Sequence, residues 1–158
     1  MTTAEEEYVH YTGCCDSLNS TWRILQELLP VEKKAVIYDA AFRFALIEYA
    51  KPYKRSDGAH RKGRNGYVLP TPKLPADELV LHKQILDLRD KLLAHSDLTL
   101  KGAMVSLARF DGRASICIAQ NGPLPLPDLN TVIHLVEATL TLMYVEKARM
   151  LEALAPNF

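Results

Sequence analysis

The sequence predicts a mainly α fold: a four-helix up-and-down bundle with a β-hairpin inserted before the last helix. Three observations predict it. Apolar residues recur at helical spacing over four segments, about 3–29, 31–50, 77–96 and 128–154. The joint between the first two segments is very short, which makes them antiparallel neighbours. The spacing then changes to strict alternation over about 103–120, ahead of the last segment. At 158 residues, the stretch 1–158 reads as one domain with a core of its own.

In the first segment Glu5, Glu6 and Glu7 fall in the opening turns, where carboxylates suit the positive end of a helix. Leu18, Trp22, Leu25, Leu28 and Leu29 supply a stripe for burial, Gly13 is a weak spot, and Pro30 ends the helix or opens the next. In the second segment Val36, Ala40, Phe44 and Ile47 share a face, with Ile37, Tyr38 and Ala41 near it. Arg43 reads as a flank residue.

Residues 51–75 hold Gly58, Gly63 and Gly66 and the prolines at 52, 70, 72 and 75, so they form no single regular element. Lys51, Lys54, Arg55, Arg61, Lys62 and Arg64, with His60, stand there against the single acid Asp57. This is the one strong charge cluster of a chain whose formal net charge is +0. It reads as an arm that grips phosphates, with Tyr53 and Tyr67 available to stack on bases. The competing reading is a solvated loop.

The third segment is the most informative. At about 100° per residue, Leu81, Ile85, Leu88 and Leu92 fall within roughly 40° of one line, and Lys83, Gln84, Asp87, Asp90 and Lys91 fill the opposite, wet face. Arg89 projects at about 80° from Leu81, inside the apolar arc, and His95 at its rim. A guanidinium in a packed face is costly unless it is paired or opens onto a cleft. His82 reads as a core histidine, Arg89 otherwise as a structural ion pair, and His95 otherwise as a helix-end cation.

After this helix, MVSLARF and RASICIAQ flank Asp111-Gly112, the pattern of a two-residue hairpin. An isolated hairpin is marginal, so it must lie on the bundle, pair with a partner chain or cover the site. Prolines at 123, 125 and 127 make a stiff connector. In the last segment Val132, Val136, Leu140, Met143, Met150 and Leu154 form a core stripe, flanked by Ile133, Tyr144 and Leu151, and His134 projects outward.

Composition excludes several classes. Lysine plus arginine and aspartate plus glutamate both number 19, so nucleic acid would have to be met by a local patch. Cys14, Cys15 and Cys117 have no zinc spacing and read as reduced thiols, which with the absence of a signal peptide or membrane span points to the cytoplasm. Glycine-rich phosphate loops, paired metal ligands and a serine-centred triad are missing, so no cofactor and no metal are expected.

The stretch Arg89-Asp90-Lys91-Leu92-Leu93-Ala94-His95-Ser96-Asp97 resembles the signature of HEPN domains, in its abortive-infection-like bacterial branch. In that superfamily an arginine, followed by Asn or Asp, precedes a histidine near a helix end; here five residues separate Arg89 from His95. The resemblance implies a helical bundle, a homodimer with a shared cleft, and metal-independent RNA cleavage by a toxin or phage-defence effector, with an antitoxin protein as a further partner. The hairpin departs from the bare HEPN bundle.

The residues support that chemistry in their own terms. His95 is the side-chain type that titrates near neutral pH, so it is the base or acid for a 2′-hydroxyl attacking its own phosphate. Arg89 offers a permanently charged contact to the phosphate oxygens. Asp90 or Ser96 would orient the other two. Arg89 and His95 lie about 120° apart around one helix, which is why two copies across a two-fold axis would be needed to complete a cleft. The other reading is a non-catalytic dimeric module that binds RNA, a nucleotide or an antitoxin. A third takes RDKLLAHSD as coincidence.

Overall fold

The order of elements follows from a few local devices. In this computed structural model the described residues are 1–90, 104–110, 113–119 and 126–155, the middle two segments as backbone. Helix α1 (Thr3–Leu28) opens with a capping box: the Thr2 hydroxyl accepts the Glu5 N–H at 3.2 Å, and the Glu5 carboxylate accepts the Thr2 N–H at 2.5 Å. Helix α4 (Leu129–Leu154) is started by Asp128, whose carboxylate accepts the Thr131 N–H at 3.1 Å. Between them come α2 (Val36–Ala50), two short 3-10 turns at Lys51–Tyr53 and Gly63–Asn65, and α3 (Ala76–Leu88).

One buried cluster draws on all four helices: Leu18 and Leu25 from α1, Phe42, Leu46 and Tyr49 from α2, Ile85 from α3, and Val132, Leu135 and Val136 from α4. The chain is mainly helical, and α1 is its hub, packing along both α2 and α4. Thr21 marks a close approach, its hydroxyl donating to Ser17 within α1 and to the Ala45 carbonyl of α2 at 3.4 Å. Trp22 donates from its indole to Glu137, and Tyr144 from its hydroxyl to Asn19, so two side-chain bonds tie α1 to α4 at the surface. No helix among the described residues is long and apolar enough to cross a membrane.

The structure corrects several expectations. Helix α2 starts at Val36 rather than 31, because Leu29–Ala35 turns through the bonds Val31 N–H to Leu28 and Ala35 N–H to Glu32. Its buried face is Tyr38, Phe42, Ala45, Leu46 and Tyr49, while Val36, Ile37, Ala40 and Phe44 are exposed. This helix is apolar nearly all round, so period alone does not choose a face; the stripe with three aromatic rings has more surface to bury and wins. Trp22 of α1 and Leu29, just past its end, are outside the core, Trp22 held by its polar end. In α4 the buried stripe runs from Leu129 to Met143, beyond which Tyr144 and Leu151 are exposed. His134 is exposed.

Helix α3 buries Leu81, His82 and Ile85. Its α-helical geometry ends at Leu88, and Arg89–Asp90 widen into a π turn. The rest of the expected helix, 91–96, lies outside the described residues. Further on, the backbone of β1 (Met104–Phe110) pairs antiparallel with β2 (Arg113–Ala119), in a register that sets Val105 opposite Ile118 and Leu107 opposite Ile116.

Candidate functional site

The basic segment is built on one buried acid. Glu6, in the first turns of α1, is 6% exposed. Its carboxylate accepts the backbone N–H of Ala59, the N–H of His60 at 2.9 Å and the Tyr67 hydroxyl at 2.8 Å. Desolvation works to raise its pKa, but these donors outweigh it and hold the carboxyl below the usual range. Around this anchor Ser56 and Tyr67 exchange backbone bonds, and His60 Nε2 lies 2.9 Å from the Met1 carbonyl. The Arg61 guanidinium lies 5.1 Å over the Tyr67 ring. A Cβ at Gly58 would sit 2.5 Å from Glu6 Oε1, so only glycine lets the segment close onto the acid.

This corrects the role given to the tyrosines. Tyr67 is buried between Glu6, His10 and Arg61, and Tyr53 is buried against Tyr49 and His82, so neither ring is free to stack on a base. The six cations divide. Lys51 pairs with Glu48, Arg61 with Glu7 at 3.9 Å, and Lys54 with Asp90. Arg55, Lys62 and Arg64 are exposed, with no ion pair among the described residues. They are the exposed cations of the segment whose charge no described acid meets, whereas Lys51 and Arg61 are exposed but paired.

Lys54 brings the basic segment to the end of α3. Its ammonium meets Asp90 Oδ2, while Arg89 Nη1 donates to Asp90 Oδ1 at 2.9 Å. The Lys54 ammonium, with Arg89 adding to it, holds the Asp90 carboxyl below its usual range against the opposing effect of burial. All three side chains are partly open to solvent, and Arg89 Nε is shielded and has no acceptor. Of the four residues expected to carry chemistry, the structure therefore places Arg89 and Asp90 together, adds Lys54, and leaves His95 and Ser96 outside the described residues. The arrangement is two cations from different elements converging on the two oxygens of one small anion.

No family model matches this chain, and neither does a curated protein or a solved structure.

Two buried side chains and one cleft lie apart from this cluster. His82 is 1% exposed; Nδ1 lies 2.9 Å from the Tyr49 hydroxyl, and Nε2 has no partner. Burial pushes its pKa down, with Lys83 acting in the same sense, so it sits in the core as a neutral ring. Cys14 Sγ lies 3.8 Å from His10 Nδ1, but burial pushes the thiol up to about 11, which keeps it protonated and unlike a nucleophile. A cleft of about 450 Å³ lies between Tyr11, the 69–73 segment and Met143 of α4; Arg89, Asp90 and Lys54 do not line it. Sequence reasoning missed Glu6 and the Lys54–Asp90 link. Both join residues far apart in the chain, and neither leaves a mark in local spacing.

Proposed function

We propose that this chain is a HEPN-type, metal-independent endoribonuclease acting as a toxin or phage-defence effector, built as an up-and-down helical bundle that carries its hairpin ahead of the last helix. The observation that carries the reading is the meeting of Lys54 with Arg89–Asp90: the basic segment is joined to the motif that resembles the HEPN signature.

In the proposed reaction His95 takes the proton of an RNA 2′-hydroxyl. The 2′-oxygen bonds to the adjacent phosphorus, the bond from phosphorus to the 5′-oxygen breaks, and that oxygen leaves with the proton that His95 returns. The products are a 2′,3′-cyclic phosphate and a 5′-hydroxyl end. Arg89 meets the charge that grows on the phosphorane oxygens. Arg55, Lys62 and Arg64 hold the flanking phosphates. A homodimer would bring a second motif to the cleft, and the exposed Val36, Ile37 and Phe44 of α2 offer apolar surface for a partner.

The test is incubation of a mixed RNA pool with the protein in EDTA, beside Arg89→Ala and His95→Ala. Cleavage by the wild type alone, leaving cyclic-phosphate ends, is the expected outcome. Removing one donor to the transition state costs on the order of 100-fold or more in rate. Equal cleavage by all three removes the assignment, and RNA retention in a gel shift without cleavage assigns the non-catalytic module instead.

A further inference from the structure

Asp90 is an intramolecular anion held by two cations that come from separate elements. Lys54 follows the first 3-10 turn and Arg89 ends α3, and nothing in the local sequence of either requires the other. Each cation takes one carboxylate oxygen, Lys54 on Oδ2 and Arg89 on Oδ1. The carboxylate does not satisfy the guanidinium, whose Nε is shielded from water and lacks an acceptor. An anion with more oxygens would match this donor set better than a carboxylate does. The seat is reachable, because all three side chains are partly exposed.

We infer that Lys54 and Arg89 form a preformed seat for a single phosphate group, and that Asp90 fills this seat until a phosphate displaces it. This deepens the ribonuclease reading and rests on it for the source of the phosphate, the RNA backbone. It moves Lys54 out of the general grip on RNA and into the centre, where it contacts the same phosphate as Arg89. It also gives Asp90 a defined part: a competitor that leaves, in place of a base.

The sign of one substitution separates this from a structural ion pair. Inorganic phosphate is titrated at constant ionic strength, with chloride as the reference anion, and affinity is taken from the phosphate-dependent rise in unfolding temperature. Asp90→Asn removes the competing charge and keeps the shape, and it should bind phosphate about tenfold more tightly than the wild type. Lys54→Met and Arg89→Met should lose the phosphate-dependent rise, and Lys33→Met, away from this cluster, should keep it. If Asp90→Asn starts from a lower unfolding temperature, the increment with phosphate still reads its affinity. Phosphate binding to Asp90→Asn no tighter than to the wild type, or undiminished binding to Lys54→Met, overturns the inference. Binding as expected with no RNA cleavage leaves the seat standing and removes the nuclease. Cleavage with no phosphate effect at Lys54 or Asp90 removes the seat alone.

Discussion

Removing the Glu6 carboxylate takes away the acceptor of three donors at once, two of them backbone N–H groups that no other side chain reaches. Glu6→Ala should therefore lower the unfolding temperature and open the 56–67 segment to limited proteolysis, with α2 and α4 intact. Because the folded pKa of Glu6 is lowered, its contribution is complete above the ordinary glutamate range and is lost as the pH falls through the lower folded value. Glu6→Gln should flatten that part of the acid-unfolding curve. Gly13 gives the opposite kind of effect. It lies in α1, and a Cβ there meets nothing within 4 Å. Gly13→Ala should stabilise the protein by about 0.5–1 kcal/mol, a rise of roughly 1–4 °C in unfolding temperature.

Helix α3 leads into Arg89, yet it is held by few buried side chains: Leu81, His82 and Ile85. Ile85→Ala should cost about 2–5 kcal/mol. Hydrogen exchange should show the loss concentrated in α3. His82 adds a pH term of the same element. Its folded pKa is lowered by burial, so its neutral form is fully compatible with the fold above the unfolded value of 6.5, and stability falls as the pH drops through it. The protection factors of the α3 amides, which discount the intrinsic pH dependence of exchange, should fall below that pH in the wild type and lose that dependence in His82→Gln. At this scale the sequence was legible where the pattern was one-sided. Leu81 and Ile85 of α3 and the Val132–Met143 half of α4 stood out because polar residues hold the opposite face. Period alone did not make it legible in α2, where Phe44 and Phe42 are equally apolar and it is the larger aromatic area of the Tyr38, Phe42 and Tyr49 stripe that separates the faces. The site divided in the same way. Arg89 was conspicuous as a charge in an apolar arc, whereas Lys54 looked like any other cation of its loop until the fold brought it to Asp90.

Across the whole molecule, charge is balanced but unevenly used. Among the described residues six lysines and arginines are paired with an acid, as in Arg43 with Asp39 and Arg149 with Glu146. Arg55, Lys62 and Arg64 are not, and all three belong to the segment anchored by Glu6. RNA affinity should fall with salt, and neutralising these three together should reduce the slope of log affinity against log salt by about 2, at about 0.7 per single-strand phosphate contact. An unchanged slope would mean that the backbone is gripped elsewhere. The closure of that segment has a consequence for how such a chain drifts over generations. Position 58 has to be glycine while the acid at 6 and the ring at 67 fill the space beside it, and the hydroxyl at 67 is buried without a partner once that acid is gone. The three positions, far apart along the chain, thus form one unit of inheritance: descendants should keep Glu6, Gly58 and Tyr67 together or lose them together, and a lineage that has replaced all three should also have rebuilt its basic segment.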